Sequence, residues 1–147
     1  MTTPLFEISQ TFTFDAAHTL ALEGNRPEYF RTHGHSFTAE VTLQGTRVAE
    51  KGWVIDFGLL KSVLNEVRDG LDHRMLNEVE GLTTPTLENI AEWIATNTHR
   101  LLAAHEFANE TLKIHRVTVM RTTIGETCVY APTELPDLAH AAPGVNR

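Results

Sequence analysis

The sequence predicts an α+β domain in which two helices cover one face of a four-stranded antiparallel sheet, and three observations point there. Two early segments alternate apolar and polar residues; two middle segments repeat at three and four; two further alternating segments follow. No internal repeat or linker divides the 147 residues, a length usual for one domain and sufficient for a buried core.

Phe6, Ile8, Phe12 and Phe14 alternate with Glu7, Thr11 and Thr13, the period of a half-buried strand, and Phe37, Ala39, Val41 and Leu43 repeat the pattern. From Asp56, an N-cap candidate, Phe57, Leu60, Leu64, Val67 and Leu71 mark one face of an amphipathic helix. In "TTPTLEN", Thr84 and Pro85 read as the N-cap and first position of a second helix, whose buried face is Leu87, Ile90, Ile94, Thr98 and Leu101. Strands are expected near 112–122 and 126–131, with Gly125 in the turn between them. From Pro132 the periodicity fades, so the domain is read as 1–131 with a C-terminal extension, extended or mobile, over 132–147. Four strands leave two unpaired sheet edges, which oligomerisation commonly covers.

Composition excludes several classes of function. A net charge of −7 offers no basic face for nucleic acid. No apolar run reaches membrane-spanning length and no basic-then-apolar leader opens the chain, so a soluble cytoplasmic protein is expected, with no membrane partner. Cys128 is the only cysteine, so neither an intrachain disulfide nor a multi-cysteine metal cluster can form.

The chemistry-bearing residues are histidines. His18 continues the even-numbered core face of the first strand, and His33 and His35 in "FRTHGHSF" share the parity of Phe37, Ala39 and Val41. Paired as a hairpin, the strands bring three imidazoles to one end of the sheet, with Gly34 expected to let the backbone bend between two of them. Three neutral imidazoles suit Zn2+ with an open fourth position, although they also accept iron, nickel or copper. The plainer alternative is three separately satisfied histidines, and the shared parity favours the metal. His99, His105, His115 and His140 lack such companions and read as surface or structural. In "LDHRMLN", Asp72 is placed to orient His73 and to stabilise its charged form, as proton transfer requires.

The stretches "FDAAHTL", "HGHSF", "GWVIDFGLLK", "LDHRMLN" and "PTLENIAEWI", in this order, resemble the 6-pyruvoyl-tetrahydropterin synthase and 6-carboxytetrahydropterin synthase family over roughly residues 5–131. The resemblance implies the tunnelling fold (T-fold), whose subunits form trimers or hexamers with the sheets closed into an oligomeric β-barrel. It implies zinc held by His18, His33 and His35, proton transfer by Asp72 and His73, and substrate contacts from Thr86, Glu88 and Asn89, for which a capped helix start is the plainer reading. The implied substrate is a small-molecule pterin, 7,8-dihydroneopterin triphosphate, processed by a zinc-dependent lyase, in one branch on the way to queuosine.

Two departures accompany the match. Where the family places a catalytic cysteine, four residues before His33, this chain has Tyr29, with Glu28 beside it as the other candidate base. Where the family places a pterin-anchoring glutamate, eight residues before Tyr130, it has Thr122, while Glu126 is either a substitute anchor or an exposed turn residue. A neutral threonine cannot make the charge-assisted hydrogen bonds of a carboxylate. Three functions follow: the synthase-type lyase, a retro-aldol cleavage releasing a 6-hydroxymethyl-pterin without a thiol, and a catalytically silent pterin- or purine-binding protein.

Overall fold

A computed structural model describes residues 2–106, 109–133, Leu135 and Leu138. Its elements run β1 (Phe6–His18), β2 (His33–Gly45), α1 (Phe57–Asp69), α2 (Leu87–Ala103), β3 (Lys113–Arg121) and β4 (Glu126–Tyr130). All neighbouring strands are antiparallel and the sheet order equals the chain order, β1-β2-β3-β4.

One face of this sheet is apolar because strand parity is kept to the strand ends. Phe12, Phe14 and Ala16 of β1, Phe37, Ala39 and Val41 of β2, and Val117 and Val119 of β3 are buried there with Leu60, Val63, Leu64 and Val67 of α1 and Ile90, Ile94 and Leu102 of α2. Phe14 and Phe37, opposite each other in the register, stack with centroids 4.8 Å apart and lie directly beneath the histidine end. Among the described residues, no helix is long and apolar enough to cross a membrane.

Three local expectations are corrected, and a fourth falls largely outside the described residues. Phe57 is 52% exposed, and Val63 takes its place on the buried face, because Phe57 opens α1 at its capped end, where Asp56 accepts from the Gly58 N–H. The N-cap of α2 is Thr86, not Thr84: the Thr86 Oγ1 accepts from the Asn89 N–H, while the Asn89 side chain donates to the Thr84 carbonyl. The later start leaves the Pro85 carbonyl outside the helical ladder. Gly34 does not bend the chain; it is paired with Ala17 in the regular ladder, and an added Cβ would meet the Ala16 carbonyl at an ordinary 3.4 Å. The expected C-terminal extension lies largely outside the described residues, as does His140, but Leu138 is buried in the core and bonds through its N–H to the Leu112 carbonyl.

The β3–β4 connection sets the position of two charged side chains. A 3₁₀ turn at Thr122–Ile124 ends on Gly125 at φ 71°, a left-handed conformation that glycine adopts without steric cost. This loop places Arg121 and Glu126 directly opposite each other.

Candidate metal centre and adjoining cavity

His18 and His33 are cross-strand partners at the last register position of the β1–β2 hairpin, and His35 lies one core-facing step further along β2. Their ligand atoms all fall within 4.8 Å of one another, and the three rings meet edge to face with centroids 4.6 to 5.1 Å apart.

Hydrogen bonds fix which nitrogens are free. The Nδ1 of His18 lies 2.9 Å from the Pro85 carbonyl and that of His33 lies 2.8 Å from the Arg31 carbonyl. A carbonyl only accepts, so both Nδ1 atoms carry a proton, and the two Nε2 atoms face each other at 3.0 Å, an arrangement that in the metal-binding tautomer sets lone pair against lone pair. Two facing lone pairs repel unless a cation lies between them. Zinc–imidazole bonds of about 2.0–2.1 Å set two ligands of a tetrahedral ion ~3.3 Å apart, so the His18–His33 pair fits that ion with little movement. Burial, followed by the charges of Arg121, His18 and His33, lowers the pKa of His35 to about 4. His18 is also lowered, chiefly by burial, against the raising effect of its bond to Pro85. Both therefore stay neutral near neutral pH, the form a metal requires.

Two loops hold this geometry. Asn77 brackets Thr19, accepting from its N–H at 2.9 Å and donating to its carbonyl at 2.9 Å, which fixes the chain just past His18. The α2 N-terminus supplies Pro85 to His18 and, through Thr86, Leu87 and Glu88, one wall of a cavity of about 310 Å³. His18, Leu20, Phe37, Arg121 and Glu126 complete the wall. Glu126 and Thr86 thus join Glu88 beside the histidine cluster, whereas Thr122 is exposed in the turn and does not line this cavity. Arg121 links the two parts. Its Nη2 pairs with Glu126 at 2.5 Å, and its Nη1 lies 3.3 Å from the Nε2 of His35. The parity that placed the histidines also marks Arg121, which follows Val117 and Val119 on the core face of β3, although an arginine at a strand end reads as solvated when met in sequence.

Asp72 and His73 sit along the outer edge of β1. The His73 N–H donates to the Asp15 carbonyl at 2.7 Å, the Asp72 carboxylate accepts from the Asp15 N–H at 3.0 Å, and Ala17 pairs with Met75. These bonds hold His73 at φ 57°, a strained value for a residue other than glycine. The Asp72 carboxyl, held below its ordinary range first by the Asp15 N–H and then by His73, meets the His73 Nδ1 at 3.0 Å and Arg68 at 3.1 Å. His73 itself is 80% exposed and flanks a second cavity, of about 550 Å³, lined also by Asp15, Ala17, Gly34, Ser36 and His35, the one histidine of the cluster that borders it. One chain therefore does not bring His73 into the cavity lined by His18.

Nor do the two candidates for the missing base line the cavity beside His18. Tyr29 is 40% exposed in the 3₁₀ turn Pro27–Phe30, where its carbonyl accepts from Leu20 and Thr19, and Glu28 pairs with Arg26 at 2.8 Å. Cys128 lies on β4, and burial, followed by the charge of Glu88, pushes its thiol pKa up. Of the other histidines, His115 is engaged by Glu7 at 3.0 Å and His105 is exposed.

Residues 7–133 match the family model of 6-pyruvoyl tetrahydropterin synthase. The chain is 45% identical over 83 residues to a dihydroneopterin monophosphate aldolase of Pyrococcus furiosus, covering 56% of this chain and 66%, just under two thirds, of that protein. It is 41% identical over 92 residues to a 6-carboxy-5,6,7,8-tetrahydropterin synthase of Synechocystis, covering 59% of this chain and 70% of the relative. Among solved structures, the Caenorhabditis elegans 6-pyruvoyl tetrahydropterin synthase superposes with a TM-score of 0.72 at 23% identity, over 90% of this chain and all of that one, a likeness of fold.

Proposed function

The chain belongs to the 6-pyruvoyl tetrahydropterin synthase family, and on that premise we propose that it is a zinc-dependent lyase that cleaves the side chain of a 7,8-dihydroneopterin phosphate by retro-aldol chemistry. The product is 6-hydroxymethyl-7,8-dihydropterin. The observation that carries the metal is the pair of Nε2 atoms facing each other at 3.0 Å with both Nδ1 atoms donating to backbone carbonyls. The choice of reaction rests on the thiol. A cleavage of this kind needs a base at one side-chain hydroxyl and no thiolate, and this chain has Tyr29 at the family's cysteine position and in Cys128 a thiol that resists ionisation. The similarity to an aldolase points the same way.

His18, His33 and His35 would hold the metal, which when bound would supply Lewis acidity to the side-chain oxygens. Glu126, Glu88 and Thr86 bind the pterin ring in the cavity beside them, a carboxylate matching the ring's adjacent N–H donors. His73, oriented by Asp72, accepts the hydroxyl proton. Because His73 shares a cavity with His35 but does not line the one formed by His18, Glu88 and Glu126, we assign the proton-transfer pair of one copy to the ring-binding cavity of another in a homo-oligomer, trimer or hexamer.

The test is to incubate zinc-loaded protein with 7,8-dihydroneopterin monophosphate and triphosphate and to identify the products by chromatography. The monophosphate should yield 6-hydroxymethyl-7,8-dihydropterin and glycolaldehyde phosphate, and the triphosphate should release no inorganic triphosphate. His33→Ala should lose bound metal and turnover together; His73→Ala should lose turnover and keep the metal. Triphosphate release with a 6-carboxy product would select the synthase reading, which the Synechocystis relative favours. Metal binding in an intact oligomer without turnover of either compound would overturn the enzyme reading in favour of a pterin-binding protein.

A further inference from the structure

Arg121 is a guanidinium whose hydrogen bonding the protein leaves incomplete. Its side chain is only 18% exposed, at the end of the core-facing row of β3. Among the described residues, Glu126 and His35 accept from it, and its Nε–H, sealed from solvent, has no partner. The contact with His35 is to Nε2, the nitrogen a metal would take, and a metal-bound imidazole nitrogen has no lone pair left to accept with. Metal binding therefore frees an Nη1–H beside the metal, while Glu126 keeps the guanidinium in place from the other side. A part-buried cation with vacated donors, next to a dication, calls for an acceptor that carries or develops negative charge.

We propose that Arg121 is a catalytic residue that donates to ring atom N5 of the bound dihydropterin, with the adjoining O4 within reach of the same fork. This rests on the pterin reading above and goes beyond it. Placement is the first argument. N5 adjoins C6, the carbon that carries the side chain whose oxygens the metal would hold, so N5 must come to rest within a few ångströms of the metal ligands, where Nη1 stands 3.3 Å from His35. Recognition is the second. The O4/N5 edge presents the same adjacent acceptors as the O6/N7 edge of guanine, which arginine commonly reads with two hydrogen bonds. Glu126, opposite Arg121 in the register, then faces the donor edge of the same ring.

The contact also serves the chemistry. In the retro-aldol step a base removes the 2′-hydroxyl proton and the oxygen electrons form the aldehyde carbonyl. The C1′–C2′ bond breaks, its electron pair forms C1′=C6, and the C6=N5 π pair moves onto N5. A proton then returns to C1′ and restores C6=N5, so no oxidant or reductant is consumed. Negative charge develops at N5, where a positioned cationic donor lowers the barrier.

The test is equilibrium binding to zinc-loaded protein of 6-hydroxymethyl-7,8-dihydropterin and of its 5-deaza analogue, in which N5 is replaced by CH. Wild type should bind the analogue ~10-fold or more weakly, the loss expected for one hydrogen bond to a charged group. Arg121→Gln should bind both compounds within about twofold of each other and keep its zinc, because the interaction the analogue lacks is already gone. Equal affinity of wild type for the two compounds, or the full analogue penalty persisting in Arg121→Gln, would overturn the proposal while leaving the lyase reading intact. The expected coupling in a protein that turns nothing over would support the contact and sink only the cleavage. Wild type binding neither compound would remove the pterin reading and this proposal together. Should Arg121→Gln fail to fold, the wild-type comparison of the two ligands decides alone.

Discussion

Replacing Thr86 by valine keeps the branched shape of the side chain and removes its oxygen. The Thr86 Oγ1 accepts from the Asn89 N–H at 3.2 Å at the start of α2, and the neighbouring Pro85 carbonyl accepts from the His18 Nδ1 at 2.9 Å. Two separable losses follow. Removal of the cap should cost about 1 kcal/mol of folding stability, which in a domain of this size is a fall of ~2–4 °C in the thermal midpoint. The second loss belongs to the metal. With the helix start loosened, Pro85 no longer holds the tautomer and angle of His18, and partners of this kind are worth ~10–100-fold in metal affinity. Thermal melts of metal-free protein measure the first loss, and competition against a chromophoric chelator measures the second. Thr86→Ser should restore both, since serine caps as well as threonine does. An unchanged melt would refute the cap. A lowered melt with unchanged zinc affinity would refute the claim that the cap positions His18.

Three further outcomes are expected. In metal-free protein, His18 and His35 have folded pKa values below the ordinary histidine value of 6.5, that of His35 about 4, so the unfolded chain binds more protons through this interval. Their contribution to stability is present above the unfolded value and is lost as pH falls toward the folded ones. Thermal midpoints of chelator-treated protein should therefore drop between about pH 7.5 and pH 4.5, more steeply than in His35→Asn; a profile identical in the two proteins would be the contrary result. Cys128→Ser should retain turnover within about twofold, because the thiol is held protonated by burial and by Glu88; loss of activity with the fold intact would restore a role for sulfur. Asp72→Asn should lower kcat on the order of 10²-fold, with KM and zinc content little changed, since Asp72 orients His73 and touches neither the histidine cluster nor the cavity beside it. A comparable fall in zinc content would mean that Asp72 supports the metal centre instead.

The fold was legible in the sequence because its signals are local and periodic. Alternation at Phe12, Phe14 and Ala16 and at Phe37, Ala39 and Val41 sets which face of each strand is buried, and the three-and-four spacing from Leu60 to Leu71 does the same for α1. The same parity carries His18, His33 and His35 to one face and one end, since a hairpin in register admits no other arrangement. Sequence places the start of α2 two residues early because Thr84 and Thr86 are both competent caps flanking Pro85, and only the packed structure chooses between them. It chooses the cap that leaves the Pro85 carbonyl free for a buried imidazole.

Tertiary structure alone decided the partnerships that join distant segments. That Glu126 rather than Thr122 enters the cavity depends on the four-residue turn through Gly125, whose left-handed conformation brings Glu126 opposite Arg121. That Asp72 and His73 dock along the outer edge of β1, away from the cavity of His18, depends on backbone bonds to Asp15 and Ala17 across 57 residues of chain. Periodicity reports which face a residue occupies and says nothing of which other segment arrives there. The sequence by itself therefore determined the layers, the strand faces and the meeting of three histidines. The charges around those histidines, and the separation of the proton-transfer pair from them, were decided only when the chain closed on itself, because long-range hydrogen bonds and ion pairs leave no period to read.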